Sequence, residues 1–258
     1  MGIMSPVDST FLLMESREHP MHVGGLSLFT PPKGGGADLA RSMYRDLVDV
    51  EAIRPLFRRK PQQLLSSFAP VSWANDKDVD LEYHVRLSAL PRPGRVRELL
   101  ELTSRLHGTL LDRHRPLWEV HVVEGLSDGR VAVYMKTHHA LIDGVSASRI
   151  WYKALSPDPT GKFTPPWAER SKKSRPSSSG GFSPLNLLGA TATTLRDVAG
   201  IAPATLTSAY QAFNDNAAAL PFQAPKTMLN VPITGARRFA AQAWPVARLR
   251  AVSVAAGV

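Results

Sequence analysis

The chain contains no cysteine. A disulfide framework, a thiolate-ligated metal and a thiol nucleophile are therefore excluded, and the composition suits a reducing compartment. No apolar run approaches the roughly 20 residues that cross a bilayer. The N-terminus lacks the basic stretch followed by an apolar run that marks a secretion signal. No G-x-S-x-G elbow is present to raise a serine nucleophile. No internal repeat and no nucleic-acid-binding motif is visible.

The residues that are present suit a globular fold. Hydrophobic residues make up 43% of 258, which is enough for an ordinary core and argues against global disorder. That length fits one large domain, or a domain with an appendage. Residues 6–15 read as a short helix, with Ser5 as its cap and Pro6 in the first position. Residues 21–30 read as a strand whose Gly24-Gly25 pair marks a bulge. Asp38 is expected to cap a helix running to Val50. Extended runs follow near Val71 and over residues 83–87, and PRPG at 91–94 breaks the chain. Leu99, Leu102, Leu106 and Leu110 fall on one face of a helix over 96–111.

Residues 118–126 and 130–137 flank Ser-Asp-Gly at 127–129, the clearest hairpin signal in the chain. Residues 156–184 are more than half Pro, Ser and Gly and read as a flexible linker crossing the surface. Residues 185–220 are rich in Ala, Leu and Thr, and Pro203 should break or kink them. Core helices, a membrane-contacting flap and a tunnel wall all fit that stretch. Residues 236–243 read as a strand, and Pro245 starts a last helix. Hairpins mixed with helices, without regular strand–helix alternation, predict an α+β fold with a mixed sheet covered by helices.

The most informative stretch is HHALIDG, residues 138–144. It follows the second hairpin strand and precedes a helix-like run. Neighbouring side chains leave an extended backbone in opposite directions, so His138 and His139 should not share one job. His139 is assigned as a general base, because a neutral imidazole titrates near working pH and can take the proton of a weakly acidic alcohol. His138 is expected to pack or to orient the loop. Asp143 sits at the mouth of the next helix, where a carboxylate can cap N–H groups or pair with an arginine. Gly144 is expected to supply a positive φ or a close backbone approach. Adjacent histidines seldom converge on one ion and no further ligands lie nearby, so no metal is expected.

These residues, together with MSPVDSTFLLMESREHPMHVGGLSLF (4–29), RPLWEVHVVEGL (115–126) and LNVPITGARRFA (229–240), resemble the bacterial wax ester synthase/diacylglycerol acyltransferase family. That family is part of the coenzyme A-dependent acyltransferase superfamily. The resemblance implies a chloramphenicol acetyltransferase-like lobe in which HHxxxDG is the catalytic centre and its second histidine, here His139, is the base. Acyl-CoA is then the co-substrate, and a long-chain alcohol or a diacylglycerol the acceptor. Pro116, Leu117 and Trp118 match the family's PLW element and are expected in the core near the site.

Family members have two lobes, and the resemblance covers the first. The expected organisation is an acyltransferase lobe over 1–155, a linker over 156–184, and a helical crossover over 185–258 towards a C-terminal lobe, with two alternatives open: that lobe is a separate chain, or this chain is cut or truncated. The chain alone is expected to be an incomplete enzyme. Its net charge of +9 suits coenzyme A phosphates or anionic lipid headgroups. A cytoplasmic protein, peripherally associated with membrane or lipid droplets, is therefore expected, with no nucleic-acid partner. Two alternatives stand beside triacylglycerol or wax ester synthesis. One is a condensation-type domain of peptide synthetases, which shares HHxxxDG, and the other is a non-catalytic lobe that binds lipid or a partner.

Overall fold

The computed structural model describes residues 2–32, 38–62, 72–156, 158, 163–169, 227–228, 231 and 233–257. Along the chain these form β1 (Gly2–Ile3), α1 (Pro6–Met14), β2 (His22–Phe29), α2 (Leu39–Val48), a 3-10 turn (Pro55–Arg58), β3 (Arg59–Gln62) and β4 (Ser72–Asn75). Then come α3 (Leu81–His84), β5 (Val85–Ala89), α4 (Val96–Gly108), β6 (Trp118–Glu124), β7 (Val131–His138), α5 (Gly144–Ala154) and α6 (Val246–Ala256). Two compact units divide the chain, Met1–Arg170 with Ile233–Val258, and Ser171–Pro232. Every element above belongs to the first. Residues 185–220, read as apolar helices or a flap, lie outside the described residues.

The expected α+β fold with a mixed sheet is observed. Four strands run in the order β2-β7-β6-β5, antiparallel except for the parallel β5–β6 pair. All eight residues of β7 are buried, since the sheet is covered on both faces. Val131, Val133 and Met135 face the larger core with Val120, Val122 and Trp118 of β6. Ala132 faces the other way, against Leu99 of α4, Val123 and Leu126. This is the period-two division that an apolar strand adopts when both faces are buried.

A second sheet, β1-β4-β3, was not anticipated. Its β3 carries Pro61, which is tolerated because the strand lies at an edge.

Several local expectations need correction. Strand β2 pairs with β7 residue for residue from His22↔His138 to Phe29↔Val131, with no bulge. Gly24 serves packing instead. A Cβ there would lie 2.8 Å from Tyr134 Oη and 3.0 Å from His107 Nδ1. Asp38 precedes α2 but makes no capping bond with its side chain. Helix α4 ends at Gly108, so Leu110 falls beyond it and is exposed. Residues 236–243 form no strand.

Within the stretch read as surface linker, Trp167 is fully buried and Ala168 bridges to Ile53. The Trp167 indole stacks on Trp118 at 4.9 Å and donates to Leu47 O at 3.0 Å. An indole brings a large apolar area and a single donor, and both are satisfied here.

Other readings hold. Ser5 Oγ accepts the Asp8 N–H at the start of α1, and α6 begins directly after Pro245. The PRPG break is a tight crossing. Gly94 has φ +73°, and a Cβ there would lie 2.0 Å from Gly125 O. The β6–β7 hairpin forms as read, with Trp118↔Thr137 at its open end. That end delivers the histidine pair to the edge of the larger core.

Candidate active site

His138 is the last residue of β7 and is fully buried. Its N–H donates to Leu117 O at 3.0 Å, and its carbonyl accepts the N–H groups of Leu141 and Ile142. The ring is hydrogen-bonded through Nδ1, and Nε2 makes only an electrostatic contact. Nδ1 accepts the Ala140 N–H at 3.0 Å, so the proton of a neutral ring sits on Nε2. Nε2 faces Glu15 Oε1 at 3.3 Å.

Glu15 is the residue that ends α1, and its side chain is only 1% exposed. Arg113 reaches it with Nη2 at 3.0 Å and Nε at 3.2 Å, and also donates to Leu12 O at 2.7 Å. The Met21 N–H adds a contact at 3.3 Å. Burial pushes the Glu15 carboxyl up, but His138, Arg113 and the Met21 N–H outweigh it and hold the group at about 2. A buried carboxylate, clamped from outside by a guanidinium, thus faces the His138 ring, whose Nδ1 holds the Ala140 backbone.

His139 is placed differently. Its backbone N–H donates to Met21 O at 2.8 Å, so the residue is tied to the chain entering β2. Its ring is partly exposed and stacks on Phe11 of α1 at 4.1 Å between centroids. The ring nitrogens have no hydrogen-bond partner among the described residues. Ala140, Leu141 and Ile142 are all buried, which anchors the loop between His139 and α5.

Asp143 is the N-cap of α5. One carboxylate oxygen accepts the N–H groups of Val145 and Ser146 at 3.0 and 2.9 Å, and the other accepts Ser146 Oγ at 2.6 Å. The Ser146 hydroxyl and these N–H groups lower its pKa. Of the two placements open to it in the sequence, the helix cap is the one observed. Gly144 uses neither freedom expected of it. Its φ is not positive, and a Cβ would meet nothing within 4 Å. It faces open space because it borders a cavity.

That cavity, about 340 Å³, lies between α5 and the β2–β7 face. Val23, Gly25 and Ser27 line it from β2, Val133, Met135 and Thr137 from β7, and Gly144, Ala147 and Trp151 from α5. His139 is not in the lining. Thr137 is two residues before it on the same strand.

Pro116, Leu117 and Trp118 are all buried beside the pair. Leu117 supplies the carbonyl that holds His138. Trp118 donates to Phe57 O at 2.9 Å and stacks on His84 at 4.4 Å. Opposite His138, His22 bonds the His107 carbonyl through Nε2 at 2.7 Å. Burial is the main cause lowering the His22 pKa to about 4, and the charge of Lys136 adds to it. Lys136 is itself sealed on that face. It lies 2.6 Å from Glu119 and donates to the carbonyls of Leu106 and Thr109 at the end of α4.

Among the described residues, no group of three or more His, Asp or Glu could hold a metal ion. The sequence reading missed Phe11, Glu15, Arg113 and Trp151. Glu15 and Arg113 are 98 residues apart, and no local spacing pairs them.

The profile of the wax ester synthase/diacylglycerol acyltransferase catalytic domain matches residues 4–258. A putative diacylglycerol O-acyltransferase of Mycobacterium bovis is 52% identical over 260 residues, covering 100% of this chain and 56% of its own. A probable diacylglycerol O-acyltransferase of Mycobacterium tuberculosis matches to the same extent. The solved wax ester synthase/diacylglycerol acyltransferase from Marinobacter aquaeolei VT8 is 37% identical. It superposes with a TM-score of 0.73 over 99% of this chain and 56% of its own. The chain therefore spans about 56% of the length of the curated relatives it matches. With a profile match over nearly every residue and the HHxxxDG loop set between β7 and α5, the chain belongs to the wax ester synthase/diacylglycerol acyltransferase family.

Proposed function

We propose that this chain is the base-bearing lobe of an O-acyltransferase that moves a long-chain acyl group from acyl-CoA to a diacylglycerol or a long-chain alcohol. One observation carries the reading. Of two adjacent histidines at the end of a rigid strand, one is fully buried with Nδ1 bonded to the loop backbone, and the other is partly exposed with no ring hydrogen bond among the described residues.

His139 is the base. Its neutral imidazole takes the acceptor's hydroxyl proton as the oxygen attacks the thioester carbonyl. The tetrahedral intermediate then collapses, the C–S bond breaks, and the imidazolium returns the proton to the departing coenzyme A thiolate. His138 acts as a positioning residue, through the Ala140 backbone and the Glu15 contact. Asp143 acts through the cap of α5, which fixes where the loop ends. Pro116, Leu117 and Trp118 pack the strand that presents the pair. Rigid placement matters because displacing a base by about 1 Å can cost roughly a hundredfold in rate.

Catalysis requires a second lobe to complete the substrate channel, since the matched relatives are nearly twice as long. The net charge of +9 supports attraction to an anionic lipid surface, where such acceptors reside. No helix among the described residues is long and apolar enough to cross a membrane.

The test is thiol release from a long-chain acyl-CoA, with diacylglycerol and long-chain alcohol compared side by side. The chain is assayed alone and mixed with the C-terminal portion of a relative. Turnover that appears with both parts supports the reading. Binding of acyl-CoA without turnover in any combination overturns it in favour of a lipid-binding lobe.

A further inference from the structure

Trp151 stands between two cavities. The first is the space of about 340 Å³ beneath α5, which begins at Gly144 beside the histidine loop. The second, about 250 Å³, is lined by Phe29, Met43, Leu47, Leu155 and Phe163 among others. Trp151 lines both. Its indole Nε1 donates to Ser27 Oγ on β2 at 3.1 Å, which pins the ring across the gap between helix and sheet.

The order along α5 gives the cavities a direction. Gly144 lies at the near end, where a Cβ would meet nothing within 4 Å. Trp151 is seven residues further on, about 10 Å along a helix axis. Among the described residues, no charged side chain lines the first cavity. In the second, Asp46 and Asp158 are both exposed and mark an end reached by solvent. An uncharged slot that starts at Gly144, where the histidine loop enters α5, and is bounded by a pinned indole suits a linear hydrocarbon chain of limited length.

We propose that the cavity beneath α5 takes the acyl chain of the donor, and that Trp151, held by Ser27, is the partition that sets the longest chain it accepts. This rests on the acyl-transfer reading above. A chain that reaches the indole either stops there or displaces it at the cost of the Ser27 bond. Removing the indole joins the two cavities into one groove. Freeing it by Ser27→Ala leaves the ring in place but lets it swing.

The experiment is equilibrium binding of saturated fatty acids, from octanoate to stearate, to this chain, read by displacement of a fluorescent fatty acid. In the wild type, affinity should rise by about fourfold per added methylene until the chain meets Trp151, and then level off. Trp151→Ala should move the levelling point to longer chains. Ser27→Ala should move it less, and Trp151→Phe should leave it nearly in place. Circular dichroism on each variant confirms folding, and Ser27→Ala keeps the test valid should Trp151→Ala unfold. A folded Trp151→Ala or Ser27→Ala protein with the wild-type levelling point overturns the partition. Wild-type protein that binds no fatty acid overturns the acyl site itself. Neither result bears on thiol release with acyl-CoA, so the acyl-transfer reading stands or falls separately.

Discussion

Replacing Glu15 by Gln tests the network behind the histidine pair. The carboxylate is 1% exposed, and its partners are His138, fully buried, and Arg113, 42% exposed. Removing one member of a buried pair typically costs about 3–5 kcal/mol, because the remaining charge loses its partner inside the protein. Here Arg113 can rehydrate, so the cost should fall below that range. The titration of Glu15 gives a second handle. Its pKa falls from 4.5 to about 2 on folding. At about 1.4 kcal/mol per unit, the charged form is worth about 3 kcal/mol at most. We therefore expect Glu15→Gln to lower stability by about 2–3 kcal/mol at pH 7, read as a shift in urea midpoint at constant slope. The sign of the pH dependence follows from the lowered pKa. This stability is fully present above pH 4.5 and is lost as pH falls towards 2, so the gap between variant and wild type should close over that window. A variant within about 0.5 kcal/mol of wild type at pH 7, with a parallel acid limb, would refute the reasoning.

Three further outcomes are expected. Gly24→Ala should destabilise by about 1–3 kcal/mol, because the new methyl meets Tyr134 Oη and His107 Nδ1. Gly25→Ala should be near neutral in the same melt, since nothing lies within 4 Å of its Cβ. The pKa of His22 drops from 6.5 to about 4 on folding, so its contribution is complete above pH 6.5 and is lost as pH falls towards 4. Replacing His22 by Gln should flatten the stability profile measured across that window. Asp143→Ala should lower the melting temperature and reduce turnover together, whereas lost turnover with an unchanged melt would point to a direct chemical role.

What could be read in the sequence was whatever depends on neighbours. The β6–β7 hairpin was visible because alternating apolar residues flank a turn at Ser127–Gly129, and the strands pair as that turn dictates. Helix α4 was visible in its leucine spacing, and α1 in Ser5 followed by Pro6. The junction of strand, HHALIDG and helix was legible for the same reason. Long-range pairing was not. Glu15 at the end of a short helix looks like any solvated glutamate until Arg113 and His138 close on it. Trp167 sits in a stretch rich in Pro and Ser, which composition marks as linker, yet its apolar area drives it against Trp118. Gly24 was read as a bulge because sequence alone does not show that Tyr134 and His107 crowd it from the next strand and from α4. The sheet β1-β4-β3 rests on strands of two and four residues, too short to show a period.

The central claim is that the free ring, not the buried one, moves the proton. Its most direct test is acyl-CoA turnover by His139→Ala under the conditions in which the wild-type chain, with its complementing lobe, is active. The account predicts a loss of about 10² to 10⁴ in rate with the fold retained and stability lowered only by the lost stacking on Phe11, about 1 kcal/mol, since the ring makes no hydrogen bond among the described residues. Turnover near the wild-type level in that folded variant would contradict it.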